Sequence, residues 1–505
     1  MCSLFCSAND ASDIKQYATI LVRFLAQYRW LTDAYVLDYF VEDHWRKLPP
    51  SWQDVLKDVE LSDLSELLGT GNRFRPRTVW PLSLLCTTTV SKLIALPRKA
   101  ASSMDDIPGF SSNGSSGALE DDKQCSFEAP EKLSHAFRKH VKPKKQHEIS
   151  RLGKVVHMLA TMSNSECVLD VGAGHGHLAR LLALGYGLKV STVDIVGSHQ
   201  VAANRFDDQA ALHVQKMESR IRHSNHLLTN TVLSELPKHS TLELSKSTTW
   251  TDLEQIARSS WSINGEDHSF VLVGLHTCGD LGPSILRLFA QAPTCRAMAL
   301  VGCCYMKMTD DFEESVSAGT QAYGGARKPA KLVQTSVRPL SSFVKEACPW
   351  GLSYEAREVA CHALEAYVKK LRDSPSSLKI HCYRALLERI IVKLYPDHRH
   401  VALRGVKHAA TMSFSEYAKK ALERFPLEVP DTEVDNPLLE EAMRDWKRVI
   451  IFYSLRLLLA PVVESLILTD RTLYLWEQGI SSSLVSLFDP SLSPRNHVLL
   501  AVKQQ

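Results

Sequence analysis

The sequence predicts an α/β fold with a Rossmann-like, mostly parallel sheet, and three observations carry that prediction. Residues 167–170 form a short apolar run that stops at an acid before several glycines, which is typical of a buried strand and a tight turn. A helical pattern follows, and residues 188–194 form a second strand that also ends at an acid. Residues 270–275 and 297–301, with a helix between them, add two strands to this βαβ unit.

Composition divides the chain into five segments. Residues 1–100 have apolar residues at helical spacing, and residues 101–130 turn to Ser, Gly, Asp and Asn. We therefore expect a helical N-terminal domain and a flexible linker. The sheet domain should occupy residues 131–310, and a mostly helical insertion residues 311–480. A strand hairpin within residues 481–505 should then complete the sheet.

The overall composition is that of a globular protein. Of its 505 residues, 45% are hydrophobic, which suffices for a large core. A net charge of +3 is too small for binding to nucleic acid over the whole surface, so a basic binding site must be local. The 12 cysteines and the lack of a signal-peptide pattern predict reduced thiols and an intracellular location, in the cytoplasm or nucleus.

One apolar segment, residues 449–468, is about long enough to cross ~30 Å of hydrocarbon. Arg456 and Glu464 interrupt it, and Pro461 lies within it. Charged residues are rare inside a membrane span, whereas the buried helix of a large globular protein has the same apolar pattern. We expect a buried helix and no membrane contact.

The turn after the first predicted strand is the candidate cofactor site. Gly172, Gly174 and Gly176 let backbone approach a nucleoside at the start of a helix, and Asp170 precedes them. A carboxylate there favours a ligand with a positive charge, such as the methionine ammonium of S-adenosylmethionine. Asp194, at the end of the next strand, suits the two ribose hydroxyls. The pattern predicts an S-adenosylmethionine site rather than a dinucleotide site.

The ends of the later strands supply the candidate catalytic residues. We expect His276, Cys278, Cys303, Cys304 and Tyr305 at the carboxyl edge of the sheet, where α/β proteins bind ligands. The histidine has the chemistry of a general base. Cysteines are also common as small packing residues, and a single histidine is often structural, so both interpretations stay open for each residue.

The same side chains offer an alternative zinc site. His276 and the three cysteines are suitable ligand types, but no C-x₂-C spacing supports such a site. We therefore expect no metal.

A basic run precedes the helix that leads into the first strand. It contains Lys142, Lys144, Lys145 and His147, and that helix should begin near the carboxyl edge of the sheet. A basic cluster beside the cofactor suits a substrate that carries phosphate, such as RNA. A solvated helix face would have the same composition, and the sequence does not separate the two interpretations.

Taken together, residues 142–148, 170–176, 275–281 and 302–305 resemble those of a methyltransferase-like family labelled ribosomal RNA adenine dimethylase domain-containing. The resemblance runs over most of the chain. It implies a methyltransferase fold, so we expect a class I methyltransferase sheet with the helical N-terminal domain and helical insertion that the pattern predicts. It also implies an S-adenosylmethionine-dependent methyltransferase.

The resemblance implies little about the substrate, although the family label suggests adenine dimethylation, and we expect RNA, either tRNA or rRNA. True rRNA adenine dimethylases place Asn-Leu-Pro-Tyr after the fourth strand, where this chain has residues 275–278, Leu-His-Thr-Cys. The His-x-Cys-Gly and Cys-Cys motifs are similar to those of eukaryotic tRNA ribose methyltransferases, in which two histidines stand in place of Tyr305 and Met306. A protein methyltransferase and an inactive scaffold with this fold remain alternatives.

Overall fold

The computed structural model describes most of the chain. It covers residues 11–69, 78–108, 127, 141–222, 236–263, 268–309, 336–403, 405–423, 425 and 428–503. Most of the predicted linker, and residues 311–335 at the start of the predicted insertion, lie outside the described residues. The predicted boundaries between segments stay predictions.

One mixed sheet forms the centre of the α/β part of the chain. Its strands are β1 Cys167–Val171, β2 Lys189–Asp194, β3 Lys238–Thr241, β4 Phe270–Thr277, β5 Cys295–Gly302, β6 Ser482–Ser486 and β7 His497–Val502. They lie in the order β3-β2-β1-β4-β5-β7-β6, with β1 to β5 parallel and β7 antiparallel to β5 and β6. The predicted α/β fold with a Rossmann-like, mostly parallel sheet is confirmed, and the antiparallel pair β6–β7 lies at one edge of that sheet.

Helices surround this sheet and build a separate core beside it. They are α1 Ala11–Gln27, α2 Arg29–Thr32, α3 Pro50–Leu56, α4 Leu61–Leu68, α5 Leu82–Ile94, α6 Pro143–Met162, α7 His177–Tyr186, α8 Gly197–Arg222, α9 Trp250–Trp261, α10 Leu281–Gln291, α11 Ser342–Ala347, α12 Tyr354–Val359, α13 Leu364–Asp373, α14 Lys379–Leu394, α15 Phe414–Leu422, α16 Asp431–Val434, α17 Pro437–Arg444 and α18 Trp446–Glu477.

Both faces of the sheet are covered, as its sequence pattern requires. Successive side chains of a strand point to opposite faces, so Val271 packs in one core with α6 and α7. Its neighbour Leu272 packs in the other core with α9 and α10. Burial on both faces explains why the central strands are continuously apolar rather than alternating.

A third core joins helices from the two ends of the helical sequence. Leu21 of α1 and Leu64 of α4 belong to the same cluster of buried residues as Leu386 of α14 and Leu457 of α18. The N-terminal helices and those after residue 340 therefore pack together around α18.

Helix α18 contains the apolar segment at residues 449–468. By length and composition it is the one helix among the described residues that could cross a membrane, and 94% of its most apolar window is buried inside the protein. Glu464 accepts hydrogen bonds from Arg495 Nη1 at 2.7 Å, Arg98 Nη1 at 3.2 Å and the Tyr305 hydroxyl at 3.1 Å. These partners make the buried charge tolerable within a protein core.

Candidate cofactor and catalytic site

The order of the sheet reverses between β1 and β4, and the glycine turn lies at that point. Gly172, Gly174 and Gly176 all have positive φ, at 74°, 58° and 65°. A side chain at position 176 would come within 2.6 Å of the His239 ring, and one at position 172 within 2.9 Å of Leu281. Glycine is therefore required by both conformation and space at two of the three positions.

Asp170 is a buried carboxylate at the end of β1. It is 1% exposed, and its Oδ2 has no hydrogen-bond partner. Burial raises the pKa of Asp170 to about 7; the positive charge of Lys145 opposes this rise, and Asp194 adds to it. An unpaired acceptor in such a place is rare in native proteins and suggests a missing donor.

Asp194 ends β2 and faces the same turn. Its Oδ2 accepts a hydrogen bond from the Gly174 amide at 2.8 Å, and its Oδ1 from the Val196 amide at 2.9 Å. The His199 ring lies 3.0 Å from Oδ1. Because a carboxylate has about four acceptor positions, these contacts orient Asp194 and leave capacity for a ligand diol.

His276 lies at an irregular point in β4. The register between β4 and β5 shifts between Gly274 and Thr277, and His276 has a φ of 64°, which is unusual for a residue with a side chain. Irregularities of this kind redirect side chains near active sites. Here the imidazole Nε2 lies 2.9 Å from Oε2 of Glu148 on α6.

Glu148 is a candidate site residue that the sequence interpretation missed. It is 1% exposed, and its other oxygen accepts a hydrogen bond from the Ser493 hydroxyl at 2.5 Å. Burial acts to raise its pKa, but the hydrogen bond from His276 and the nearby positive charges lower the pKa below its usual range. The sequence did contain a signal for Glu148. It is an acid on the apolar face of α6, next to Ile149 and four residues before Leu152.

The pairing fixes the proton positions on the imidazole. Glu148 is ionised at neutral pH and can only accept, so Nε2 of His276 must donate. In the neutral form of the ring Nδ1 is then the acceptor, and this atom is buried without a hydrogen-bond partner. The geometry is that of a histidine oriented by a carboxylate, with one nitrogen able to take a proton.

The three predicted cysteines come together. Cys278 Sγ lies 3.3 Å from Cys304 Sγ, which lies 3.6 Å from Cys303 Sγ. Hydrogen bonding from Cys303 lowers the pKa of Cys278 to about 5, whereas the pKa values of Cys303 and Cys304 are raised. The cluster therefore favours one thiolate even without a ligand.

Tyr305 does not face the cysteine cluster and His276, contrary to its predicted place among the candidate catalytic residues. It is 2% exposed, and its ring lies between Arg471 and Arg495, 5.3 and 5.7 Å from their guanidinium carbons. Its hydroxyl donates to Glu464. The chain turns inward after Cys304, so Tyr305 packs against α18 rather than facing a substrate.

The predicted substrate-binding residues divide into three environments. Lys142 and Lys144 are exposed at the start of α6, whereas Lys145 is half-buried and close enough to act on Asp170. His147 accepts a hydrogen bond from the Asp489 amide at 2.9 Å and so helps hold the β6–β7 connection. Only the two exposed lysines are placed as the prediction requires.

Residues 144–311 match a family described as methyltransferase domain. They form a methyltransferase domain. Its class I sheet and glycine turn agree with that match, and a domain of this kind uses a methyl donor. The match includes all of α6 but its first residue, and β1 to β5, and therefore the two acids of the turn, Glu148, His276 and the three cysteines.

The chain is also similar to two curated proteins, both named probable methyltransferase-like protein 25. The mouse (Mus musculus) protein is 33% identical over 241 residues, which are 46% of this chain and 38% of that protein. The human (Homo sapiens) protein is 31% identical over 328 residues, which are 63% of this chain and 47% of that protein. The matches thus span less than half of these relatives, and no solved structure matches the chain.

These matches confirm the predicted methyltransferase-like resemblance. The label of rRNA adenine dimethylase finds no support in them.

Proposed function

We propose that this chain transfers a methyl group from S-adenosylmethionine to RNA. The observation that carries the cofactor assignment is the buried, unpaired Oδ2 of Asp170 beside three glycines of positive φ. An ammonium group would supply the missing donor and the missing positive charge. The residues therefore fit a nucleoside linked to an amino acid better than they fit a dinucleotide, whose phosphates are negatively charged.

Asp170 and Asp194 would bind different parts of the cofactor. Asp170 would hold the ammonium group, and Asp194, already oriented by Gly174 and Val196, would hold the ribose hydroxyls. When bound, S-adenosylmethionine supplies an electrophilic methyl group. Lys145 keeps Asp170 closer to its ionised form before the ligand arrives.

His276 and Glu148 would act on the acceptor atom of the substrate. An oxygen or nitrogen nucleophile must be held about 3 Å from the methyl carbon and often loses a proton. His276 Nδ1 is buried in this structure and would have to become accessible to accept that proton, and Glu148 would then stabilise the resulting positive charge through Nε2. Both side chains lie at the carboxyl edge where β4 meets α6.

Exposed positive charge at the same edge of the sheet supports RNA as the substrate. Lys142 and Lys144 are exposed at the start of the helix that also carries Glu148, and Lys144 Nζ lies 3.6 Å from that carboxylate. Exposed lysines beside a reaction centre suit phosphate groups. The free cysteines of the described residues support the further proposal of an intracellular location.

The test is methyl transfer from labelled S-adenosylmethionine to separated RNA and protein fractions of cells. We expect label in RNA that ribonuclease releases, and much less label with Asp194→Ala when the cofactor is not saturating. Label confined to protein would establish the protein methyltransferase alternative. No transfer despite cofactor binding would establish the scaffold alternative.

A second measurement isolates the phosphate contacts. Replacing Lys142 and Lys144 by alanine should reduce the slope of log affinity for RNA against log salt by about 1.4–1.8, at ~0.7–0.9 for each contact. The matched control replaces Lys369 and Lys370, an exposed pair on α13, and makes the same change in charge. Equal effects of the two double variants would refute the proposed RNA surface.

A further inference from the structure

The position of the three cysteines follows from the register of two neighbouring strands. Thr277 of β4 is paired with Gly302 of β5, so Cys278 and Cys303 are the next residues on adjacent parallel strands. Parallel strands deliver their carboxyl ends side by side. This brings two thiols together although 24 residues separate them in the chain.

The loop after β5 then returns Cys304 to the same place. The Gly279 amide donates to the Cys304 carbonyl at 3.3 Å, and the Lys307 amide donates to the same oxygen at 2.9 Å. Gly279 has a φ of 57°, and a side chain there would come within 2.8 Å of the Lys307 carbonyl. The two loops are therefore held against each other by backbone contacts, independently of the thiols.

The resulting spacing of the sulfur atoms is that of metal ligands. All three Sγ atoms lie within 4.8 Å of one another, with two separations of 3.3 and 3.6 Å. Tetrahedral zinc with Zn–S bonds of ~2.3 Å holds its sulfur ligands about 3.8 Å apart. Small side-chain rotations would bring the three thiols to that geometry.

We propose that Cys278, Cys303 and Cys304 bind one zinc ion, with the fourth coordination position left to water or a substrate atom. Thiolates select zinc over magnesium or calcium, and three protein ligands with one open position are typical of catalytic rather than structural zinc. His276 is not included as a ligand, because among the described residues the ligand atoms that cluster here belong to the three cysteines alone. The proposal does not depend on methyl transfer.

The charge around the cluster is compatible with this assignment. Three thiolates and Zn²⁺ together have a net charge of −1, and the positive charge of Lys307 acts on both Cys278 and Cys304. A nearby cation offsets the electrostatic cost of the excess negative charge.

The first test is the metal content of the full chain purified without chelators. We expect about one zinc per chain. Competition with a chromophoric chelator measures the zinc affinity, which should fall by more than about tenfold in Cys278→Ser. Loss of even an outer partner of a metal ligand typically weakens binding ~10–100-fold. The matched control is Cys361→Ser. Cys361 Sγ lies 3.9 Å from the Cys303 carbonyl oxygen but does not belong to the cluster, so its replacement should keep the zinc.

Cobalt substitution keeps the test informative if Cys278→Ser does not fold. Co²⁺ added to the metal-free wild-type chain should produce the charge-transfer absorption of thiolate ligation, and Cys304→Ser should reduce it. Failure of the wild-type chain to bind either ion tightly would overturn the proposal. So would stoichiometric iron, or a Cys278–Cys304 disulfide in the protein purified under mild conditions.

Discussion

Replacing Asp170 by asparagine should make the protein more stable and unable to bind its cofactor. The substitution keeps the shape of the side chain and removes a charge that lies 1% exposed at the end of β1. An unpaired buried charge destabilises a fold, and evolution retains one where a ligand needs it. The same variant should therefore gain folding stability and lose cofactor affinity.

The magnitude follows from the pKa. A value of about 7 in the folded protein against an ordinary 3.8 corresponds to about 4 kcal/mol of destabilisation at pH 8, at ~1.4 kcal/mol for each pKa unit. Because the pKa is raised by folding, the stability of wild-type protein is highest below pH 4 on this account and is lost as pH rises towards 7. Asp170→Asn should gain about 4 kcal/mol at pH 8 and about 0.5 kcal/mol at pH 4.

The assay is urea unfolding of both proteins at the two pH values, together with calorimetry of S-adenosylmethionine binding. Wild-type affinity should fall below about pH 7, where Asp170 takes up a proton. Lys145→Met removes the cation that lowers this pKa and should move the midpoint upward. A stability gain that is equal at pH 4 and pH 8, or unchanged affinity in Asp170→Asn, would refute the reasoning.

Three further outcomes are expected. Asp194→Ala should weaken S-adenosylmethionine binding by about tenfold or more, and unchanged affinity of the folded variant would contradict the assignment. His276→Ala should bind cofactor normally and lose about 10²–10⁴-fold in turnover, and a wild-type rate would remove the residue from the mechanism. Glu464→Gln should lower the free energy of unfolding by about 3–5 kcal/mol, because it leaves Arg495 buried without its partner. The control is Glu365→Gln. Glu365 is a more exposed partner of Arg98, so its replacement should lower the free energy of unfolding by less.

The sequence predicted the strands that position the site, because strong local patterns define them. β1, β4 and β5 contain continuous apolar runs, and β2 ends at an acid after a helical pattern, so these strands can be recognised without tertiary information. β3, Lys238–Thr241, was not predicted. It is a partly exposed edge strand of four polar residues, so its pairing with β2 rather than its composition determines it.

The site was predicted where one strand end or one turn determines it, and not where two distant segments meet. Asp170 and Asp194 follow from the βαβ unit alone. Glu148 and His276 are 128 residues apart, and only the packing of α6 across β4 and β5 brings them within 2.9 Å. The absence of C-x₂-C spacing likewise argued against a metal, whereas strand register places the thiols together without any such spacing.

The contacts of Tyr305 show how helices outside the sheet support the site. Tyr305 immediately follows Cys303 and Cys304, and its hydroxyl donates to Glu464 on α18. Arg357 of α12 donates to the Tyr305 carbonyl at 3.3 Å. The loop after β5 is thus held from outside the methyltransferase sheet, by two helices that follow it in sequence. These helices therefore help to hold the loop that carries Cys303 and Cys304, so changes in their packing should alter the site without touching any residue of the sheet.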